Sequence, residues 1–205
     1  MKFGSQLIAI AGTNGSGKDT TGLLLAERHG FLFISVTELL RDECRRRGIG
    51  VTRENLRTVS AEWRRERGNA VLVEKGVEAF EALPDKDRYV GLVMSSMRNP
   101  GEADRVHELG GTMLWVDADP RVRYERIQAN AASRSRAGED DKTYEQFLAE
   151  EEAEMHAPTG SDSAVLNMAA VKERCDVFVE NNSGHMDVFE KELVTVLRLP
   201  AESGN

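Results

Sequence analysis

Short, continuous runs of apolar residues mark five places along the chain where a buried β-strand is predicted. The runs cover residues 6–12, 31–35, 88–94, 112–118 and 175–181. A continuous run, rather than strict alternation of apolar and polar residues, is typical of a strand whose two faces are both covered, as in a parallel sheet. Helical segments separate the runs, and this alternation favours right-handed crossovers. The pattern therefore predicts an α/β fold with a five-stranded, mainly parallel sheet between layers of helices.

The helices are predicted from capping residues at their starts and from stop signals at their ends. They cover residues 18–29, 37–47, 52–68, 69–83, 100–111, 120–130, 144–157 and 184–197. Gly30 and Gly48 are stop signals, because glycine is the residue most often found just after a helix. Thr143 and Gln146 have the spacing of a capping box, which predicts that a helix starts between them.

The arrangement of these elements indicates one domain over residues 1–200, followed by a frayed tail at 201–205. Three successive helices interrupt the alternation, so residues 36–83 are predicted to form a helical insertion. Residues 131–142 are small, charged and without periodicity, which indicates a mobile loop. The acidic stretch 150–156 is interpreted as a solvated helix face.

Composition and charge exclude some functions. The 205 residues carry a formal net charge of −8, which argues against broad nucleic-acid or anionic-membrane binding, because both depend on a basic surface. No apolar run is long enough for a signal peptide or a membrane span. Cys44 and Cys175 lack metal-ligand spacing, so they are interpreted as free thiols of a reducing compartment. The protein is predicted to be cytoplasmic, and to be a monomer or a homodimer.

The stretch GTNGSGK at residues 12–18 follows the first predicted strand and precedes the first predicted helix. It satisfies the phosphate-loop pattern Gly-x-x-x-x-Gly-Lys. Its glycines allow a tight turn in which backbone N–H groups face one anion, and the positive end of the helix adds to the attraction. The residues predicted to bind ATP are Gly12, Asn14, Gly15, Ser16, Gly17, Lys18, Asp19 and Thr20. Lys18 is also predicted to be catalytic, because it reaches the β- and γ-phosphates.

Asp19 stands where a phosphate loop normally has Ser or Thr, whose hydroxyl holds Mg²⁺. Thr20 has a hydroxyl, but it lies one position too late for that role. One interpretation is that Asp19 binds Mg²⁺ directly or through water, because Mg²⁺ prefers oxygen ligands. The other is that its negative charge only stabilises the N-terminus of the helix. The sequence leaves both open.

The loop and its flank, GTNGSGKDTTG, resemble the nucleoside-monophosphate-kinase superfamily, where Gly-Lys-Asp-Thr occurs in deoxynucleoside-monophosphate-kinase-like proteins. Nearly the whole chain is similar to this superfamily, which includes adenylate kinases, and to dephospho-CoA kinases and their archaeal relatives. The resemblance implies a P-loop NTPase three-layer fold with an inserted acceptor-binding region and a lid. It also implies ATP and Mg²⁺ as cofactors and a small anionic nucleotide as the acceptor.

Two further segments extend the resemblance to an acceptor site. FISVTELLRDE at residues 33–43 is similar to the acceptor segment of adenylate kinases, although residues 36–39 depart from it. VMSSMRNPGEAD at residues 93–104 is similar to a strand end that carries an arginine in the superfamily, here Arg98. Arginine suits this role because its planar guanidinium matches a phosphate bidentately. The predicted acceptor contacts are Ser35, Arg41 and Arg98, together with Glu38, which departs from the family segment but is a candidate base. Arg98 is also implied to be catalytic.

The remaining similar segments concern the lid, the adenine and the metal. VDADPRVRYERI at residues 116–127 is similar to the family's lid entry, which implies a lid over residues 131–142. The lid arginines, implied to be catalytic because they neutralise the transferring phosphoryl group, are Arg126, Arg134 and Arg136. CDVFVENNSG is similar to the last strand and loop of dephospho-CoA kinases, which implies that Asn182 lies against adenine. Ser95 stands where many relatives carry an Asp that holds Mg²⁺, so metal binding is expected to be rearranged or weakened.

The type of acceptor follows from the chemistry of the candidate residues. A phosphate acceptor is already ionised and needs arginines, whereas a hydroxyl acceptor benefits from a carboxylate base. Arg41 therefore favours transfer to a nucleoside or deoxynucleoside monophosphate. Glu38 as a base keeps transfer to the ribose of dephospho-CoA as an alternative. A third possibility is a regulator that binds ATP or hydrolyses it slowly, which the two altered Mg²⁺ positions suggest.

Overall fold

The structure is a computed structural model that describes residues 3–130, 142–156, 160 and 162–200. Within these residues, five strands form one sheet in which all neighbours run parallel. The strands are β1 Gln6–Gly12, β2 Phe31–Ser35, β3 Gly91–Ser95, β4 Thr112–Asp117 and β5 Val177–Glu180. Their order across the sheet is β2-β3-β1-β4-β5. The predicted α/β fold with a five-stranded parallel sheet is therefore confirmed.

All the predicted helices are present, with ends that differ from the prediction by a few residues. The helices are α1 Lys18–His29, α2 Val36–Arg46, α3 Arg53–Arg67, α4 Val71–Glu81, α5 Pro100–Glu108, α6 Pro120–Ala129, α7 Tyr144–Met155, α8 Met168–Lys172 and α9 Met186–Leu197. The sequence pattern does not predict the short α8 or a 3₁₀ turn at Lys86–Arg88. This turn is the reason that β3 begins at Gly91 and not at residue 88. In the part of the chain that the structure describes, no helix is both long and apolar enough to cross a membrane.

Side-chain caps explain where three of the helices begin. Thr52 accepts a hydrogen bond from a backbone N–H in the first turn of α3. Thr143 and Gln146 form the predicted capping box at the start of α7. Asn99 and Glu102 form a second capping box at the start of α5. Each cap provides an acceptor for backbone N–H groups that the helix itself leaves unpaired.

Apolar side chains pack on both faces of the sheet, which gives the fold three layers. On one face, Ile8 and Ile10 of β1 belong to a buried cluster with Leu25 of α1 and Leu193 of α9. On the other face, side chains of β1, β3 and β4 belong to a cluster with α2, α4, α5 and α8. Because all five strands run in the same direction, their carboxyl ends meet at one edge. Open parallel sheets bind their ligands at this edge.

A buried ion pair connects the helical insertion to the end of β3. Arg64 of α3 donates to Glu102 of α5, with 2.6 Å between Nη2 and Oε1, and the two side chains are only 2% and 0% exposed. The second carboxylate oxygen of Glu102 accepts from the backbone N–H groups of Arg98, at 2.7 Å, and Asn99, at 3.0 Å. One carboxylate therefore joins α3 to the loop that carries Arg98.

Replacing Arg64 by methionine is expected to lower the free energy of unfolding by about 3–5 kcal/mol, because Glu102 would stay buried without its counter-charge. The matched control is Arg65→Met, which removes an exposed ion pair with Asp162. This control is expected to cost no more than about 1 kcal/mol. Urea denaturation measures both variants, and equal losses would contradict the assigned importance of the buried pair.

Candidate active site

The phosphate loop predicted at residues 12–18 lies between the end of β1 and the start of α1. Gly12 has a φ of 144°, and a Cβ built on it would lie 2.0 Å from the carbonyl oxygen of Val116. Gly17 has a φ of 97°, and a Cβ built there would lie 2.6 Å from Nδ2 of Asn181. Only glycine fits such positions. The loop therefore makes a tight turn directly before the N-terminus of α1. A glycine-rich loop that precedes a helix N-terminus in this way is an arrangement that binds phosphate groups.

Two side chains from the ends of neighbouring strands hold the loop in this shape. Oγ1 of Thr13 donates to Oδ1 of Asp117, at the end of β4, over 2.6 Å. Nδ2 of Asn181, just after β5, donates to the carbonyl oxygen of Ser16 over 3.0 Å. The two anchors are themselves linked, because the backbone N–H of Asn181 donates to the carbonyl oxygen of Asp117. The loop is therefore preorganised by contacts within the protein.

Lys18 points into the loop, where its Nζ donates to the carbonyl oxygen of Thr13 at 2.5 Å. Burial of its ammonium group, and then the positive charge of Arg98, lower the pKa of Lys18 from 10.5 to about 7. A lowered pKa means that the surroundings of Lys18 provide too little negative charge to offset the burial of its ammonium group. Phosphate groups bound by the loop would supply that charge.

Asp19, the unusual residue of the loop, meets the residue at the other altered position. Oγ of Ser95 donates a hydrogen bond to Oδ1 of Asp19. Ser95 is the last residue of β3 and is fully buried, whereas Asp19 is exposed in the first turn of α1. The two residues that stand at altered Mg²⁺ positions are therefore in direct contact.

Candidate residues from four separate segments line one cleft of about 510 Å³. They are Lys18 and Asp19 of the loop and α1, Arg41 of α2, Arg98 after β3, and Arg126 of α6. Nη1 of Arg126 is buried and has no hydrogen-bond partner among the described residues. Burial lowers the pKa of Arg126. The cleft therefore combines a phosphate-binding loop with three guanidinium groups.

A second, smaller cavity of about 80 Å³ adjoins this cleft and shares Arg98 with it. Its polar lining includes Arg57, Arg98 and Glu154. The apolar residues that line it are Val36, Leu40, Leu56, Leu72 and Leu166. Apolar walls with a few polar groups are typical of a binding site for a small molecule.

The acidic face of α7 is not simply solvated, and that interpretation is wrong for Glu151 and Glu154. Glu154 accepts from Nη1 of Arg98 at 2.9 Å and from Nη2 of Arg57 at 2.7 Å. Burial alone would raise the pKa of Glu154, but Arg98 and Arg57 outweigh it and hold this pKa at about 2. Glu151, one turn earlier, forms two hydrogen bonds with the buried guanidinium of Arg123. Helical spacing directs both carboxylates to the side of α7 that faces the site.

The residues predicted from the adenylate-kinase-like segment lie around the end of β2. Ser35 is the last residue of β2, and its Oγ is buried without a hydrogen-bond partner in the described chain. Glu38 forms an ion pair with Arg41, three residues later on α2. Arg41 lines the main cleft, whereas Ser35 and Glu38 line neither cavity.

Other predicted residues lie in different surroundings. Asn182 is exposed, and its Oδ1 accepts from the backbone N–H of Asp119 at 2.7 Å near the start of α6. The loop contact comes from the preceding residue, Asn181. Arg134 and Arg136 lie outside the described residues, as does the predicted lid apart from its final residue. The further ATP-contact candidates that line the cleft are Asn14, Gly15, Gly17 and Thr20, while Ser16 is buried within the loop.

Sequence reasoning misses several residues that shape the site. Ser96 adopts a left-handed φ of 73°, which is uncommon for a residue with a side chain, and it lines both cavities. Arg123 donates to the carbonyl oxygens of Ala118 and Asn14, and so ties α6 to the phosphate loop. Asp117 could have been noticed as a carboxylate at a strand end. No comparable signal marks Ser96 or Arg123.

Comparison with known proteins identifies the family. The family model described as AAA domain (AAA_18) matches residues 8–154. The chain belongs to this AAA domain family. A UPF0200 protein of Hyperthermus butylicus is 30% identical to it over 168 residues, which cover 82% of this chain and 85% of the relative. A UPF0200 protein of Pyrobaculum aerophilum is 26% identical over 193 residues, which cover 93% of this chain and 96% of the relative. The chain is therefore also a member of the UPF0200 family.

Solved structures resemble this AAA domain over almost its whole length. Shikimate kinase from Bacteroides thetaiotaomicron superposes with a TM-score of 0.55 at 16% identity, covering 95% of this chain and 99% of the kinase. TT1252 from Thermus thermophilus superposes with a TM-score of 0.58 at 20% identity, covering 96% and 99%. At these identities the likeness shows the fold, which is that of the P-loop kinases. The P-loop fold that the sequence resemblance implies is thus confirmed.

Asn181 and Asn182 can be separated by mutation. Asn181→Ala is expected to weaken ATP binding by about fivefold to tenfold, because the carbonyl of Ser16 loses its hydrogen bond and the loop loosens. Asn182→Ala is the matched variant at the adjacent position, which tests the predicted contact with adenine. Isothermal titration with ATP compares the two. A larger loss in Asn182→Ala would favour the adenine contact over the anchoring role of Asn181.

Proposed function

We propose that the protein is an ATP-dependent phosphotransferase that moves the γ-phosphoryl group of ATP to a nucleoside or deoxynucleoside monophosphate. One observation carries the proposal: Arg41, Arg98 and Arg126 line the same cleft as Lys18. Lys18 belongs to the loop that would bind the donor phosphates. Three guanidinium groups around that loop suit a second anionic substrate, because arginine matches phosphate groups bidentately.

On the donor side, backbone N–H groups of the loop and the N-terminus of α1 bind the β- and γ-phosphates. Lys18 exchanges its hydrogen bond with the carbonyl of Thr13 for a phosphate oxygen, and the nearby negative charge raises its pKa. Mg²⁺, when bound, neutralises charge on these phosphates, and Asp19, which accepts a hydrogen bond from Ser95, offers an oxygen ligand of the kind that this ion prefers. The anchors at Thr13 and Asn181 keep the loop in place during transfer.

On the acceptor side, most of the monophosphate lies in the main cleft of about 510 Å³, because the smaller cavity, at about 80 Å³, has room only for an edge of the base. The apolar walls of the smaller cavity suit a flat aromatic ring, and Arg98 stands where this cavity opens into the main cleft. Arg98 and Arg41 then bind the acceptor phosphate between this cavity and the loop. Arg126, whose buried Nη1 has no partner within the described residues, neutralises the transferring phosphoryl group. Arg134 and Arg136 remain predicted lid residues with the same role.

A phosphate acceptor is favoured over the alternative, transfer to a ribose hydroxyl as in dephospho-CoA. A hydroxyl acceptor benefits from a carboxylate base whose pKa is near the working pH. The pKa of Glu154, the carboxylate in the smaller cavity, is held at about 2, so it is a weak base. Glu38, the base of the alternative, is ion-paired with Arg41. A phosphate acceptor needs no base, because it is already ionised.

The test is an ADP-release assay with ATP and Mg²⁺, run against a panel of nucleoside and deoxynucleoside monophosphates together with dephospho-CoA. Stimulation by one or a few monophosphates is the expected result, and the product is then identified by mass spectrometry. Stimulation by dephospho-CoA alone would replace the proposal with its alternative. Binding of ATP without stimulation by any member of the panel would point instead to a regulator or slow NTPase.

Arg41→Ala is expected to raise KM for the acceptor by about 10- to 100-fold, because a hydrogen-bonded ion pair with the acceptor phosphate is lost. KM for ATP should stay close to the wild-type value. Arg45→Ala is the matched control, since Arg45 lies one turn later on α2 and its exposed side chain forms an ion pair with Asp42. Steady-state kinetics with the acceptor found in the panel measures both. Equal effects would show that Arg41 acts only through the general charge of α2.

Glu154→Gln is expected to lower KM for the acceptor by about threefold to tenfold, because the acceptor phosphate no longer competes with a carboxylate for Arg98. Glu152→Gln removes a charge from the exposed side of the same helix and serves as the control. If Glu154→Gln raised KM instead, the carboxylate would have to position Arg98 for the acceptor and not compete with it.

A further inference from the structure

The contact between Asp19 and Ser95 joins the two positions that usually hold Mg²⁺ in a P-loop protein. In these proteins Mg²⁺ is generally held by a hydroxyl that follows the loop lysine and by a carboxylate at the end of a neighbouring strand. In this chain the carboxylate follows the lysine, and the hydroxyl ends strand β3. The same two chemical groups are present, but each stands in the other's position, and they form a hydrogen bond with each other.

We propose that Asp19 and Ser95 form a Mg²⁺ site in which hydroxyl and carboxylate have exchanged places, with Asp19 as the direct ligand and Ser95 as the residue that orients it. The inference rests on the nucleotide site of the proposed function. It goes beyond that function because it concerns how the ion is held and not which acceptor is used.

The local geometry supports a metal role for Asp19 over a capping role. The residue before α1 is Gly17, which has no side chain to cap the helix. Within the described residues, the only side-chain hydrogen bond of Asp19 is the one from Ser95, and it accepts none from a backbone N–H group. Asp19 therefore does not cap the helix through hydrogen bonds, although its charge in the first turn still interacts favourably with the helix dipole. Asp19 lines the cleft next to Lys18.

Ser95 is well placed to orient this carboxylate. It is fully buried at the end of β3, in register between Ser35 of β2 and Ile10 of β1. Its hydroxyl donates to one oxygen of a carboxylate that lines the cleft, and this bond restricts the rotation of that carboxylate. No group of three or more His, Cys, Asp or Glu that could hold a metal occurs among the residues described. This fits Mg²⁺ in a kinase site, where the protein supplies one or two oxygens and the phosphates and waters supply the rest.

The exchange has a consequence for nucleotide binding. A serine or threonine after the lysine is neutral whether or not the ion is present. Asp19 is negative and lies at the loop where phosphates would bind, so it repels metal-free ATP and attracts the Mg²⁺ complex. Nucleotide binding should therefore depend on Mg²⁺ more strongly than a neutral residue at this position would allow.

Isothermal titration of ATP in excess Mg²⁺ and in EDTA tests the inference through binding alone. For the wild type, Mg²⁺ is expected to strengthen binding by at least about tenfold. We define the Mg²⁺ ratio as the ATP affinity in Mg²⁺ divided by the ATP affinity in EDTA. Asp19→Asn keeps the size of the side chain and the acceptor for Ser95 but removes the charge, and it should reduce the Mg²⁺ ratio to less than about threefold. Binding in EDTA should become tighter in this variant. Glu27→Gln, an exposed change of equal charge on the same helix, should retain the wild-type ratio.

The double variant Asp19→Ser/Ser95→Asp restores the usual order of the two groups. It is expected to recover a larger Mg²⁺ ratio than Asp19→Ser alone, whereas Ser95→Asp alone sets two carboxylates side by side. Circular dichroism checks that the buried change at Ser95 preserves the fold. If the double variant does not fold, Asp19→Asn decides the question alone, because its position is exposed.

The outcomes separate this inference from the proposed function. An unchanged Mg²⁺ ratio in Asp19→Asn would overturn the exchanged site, even if the wild type proved to be a monophosphate kinase. A collapsed ratio would support the site, even if no acceptor in the panel stimulated ADP release. Failure of the wild type to bind ATP under either condition would overturn both.

Discussion

The buried pair of Arg64 and Glu102 is the interaction on which the geometry of the site depends most. Glu102 neutralises the buried guanidinium of Arg64, and its other oxygen accepts hydrogen bonds from the backbone just before α5. The helical insertion and the loop after β3 therefore cannot move independently. Because Arg98 lies in that loop, the position of its backbone relative to α3, which lines part of the smaller cavity, depends on a single carboxylate.

The parallel sheet determines what can surround the phosphate loop. Since every strand ends at the same edge, side chains just beyond β1, β3, β4 and β5 all come near the loop. Thr13 and Asp117 join two of these ends, Asn181 adds a third, and Ser95 contacts the start of α1 from a fourth. The loop is held from several strands at once, and this rigidity explains why its glycines tolerate no side chain.

Local patterns are enough to predict the strands, every α-helix except the short α8, the phosphate loop and the capping box at Thr143. Each of these depends on residues within a few positions of one another. The anchors could not be predicted in the same way, because Thr13 and Asp117 are 104 positions apart, and Asn181 and Ser16 are 165 apart. The acidic face of α7 was misjudged for the same reason. Its arginine partners lie on other elements, and no periodicity in α7 reveals them.

Glu154 gives the smaller cavity a counter-ion that is part of the chain. A pocket lined only by arginines would collect any phosphate or sulfate in solution, and its occupancy would follow the salt of the surroundings. Here the balancing negative charge is the carboxylate of Glu154, which is part of the protein, so its presence does not depend on the salt concentration. Charge alone is therefore not enough for an anion to bind here. The fit of its apolar part against the apolar walls distinguishes one small anion from another.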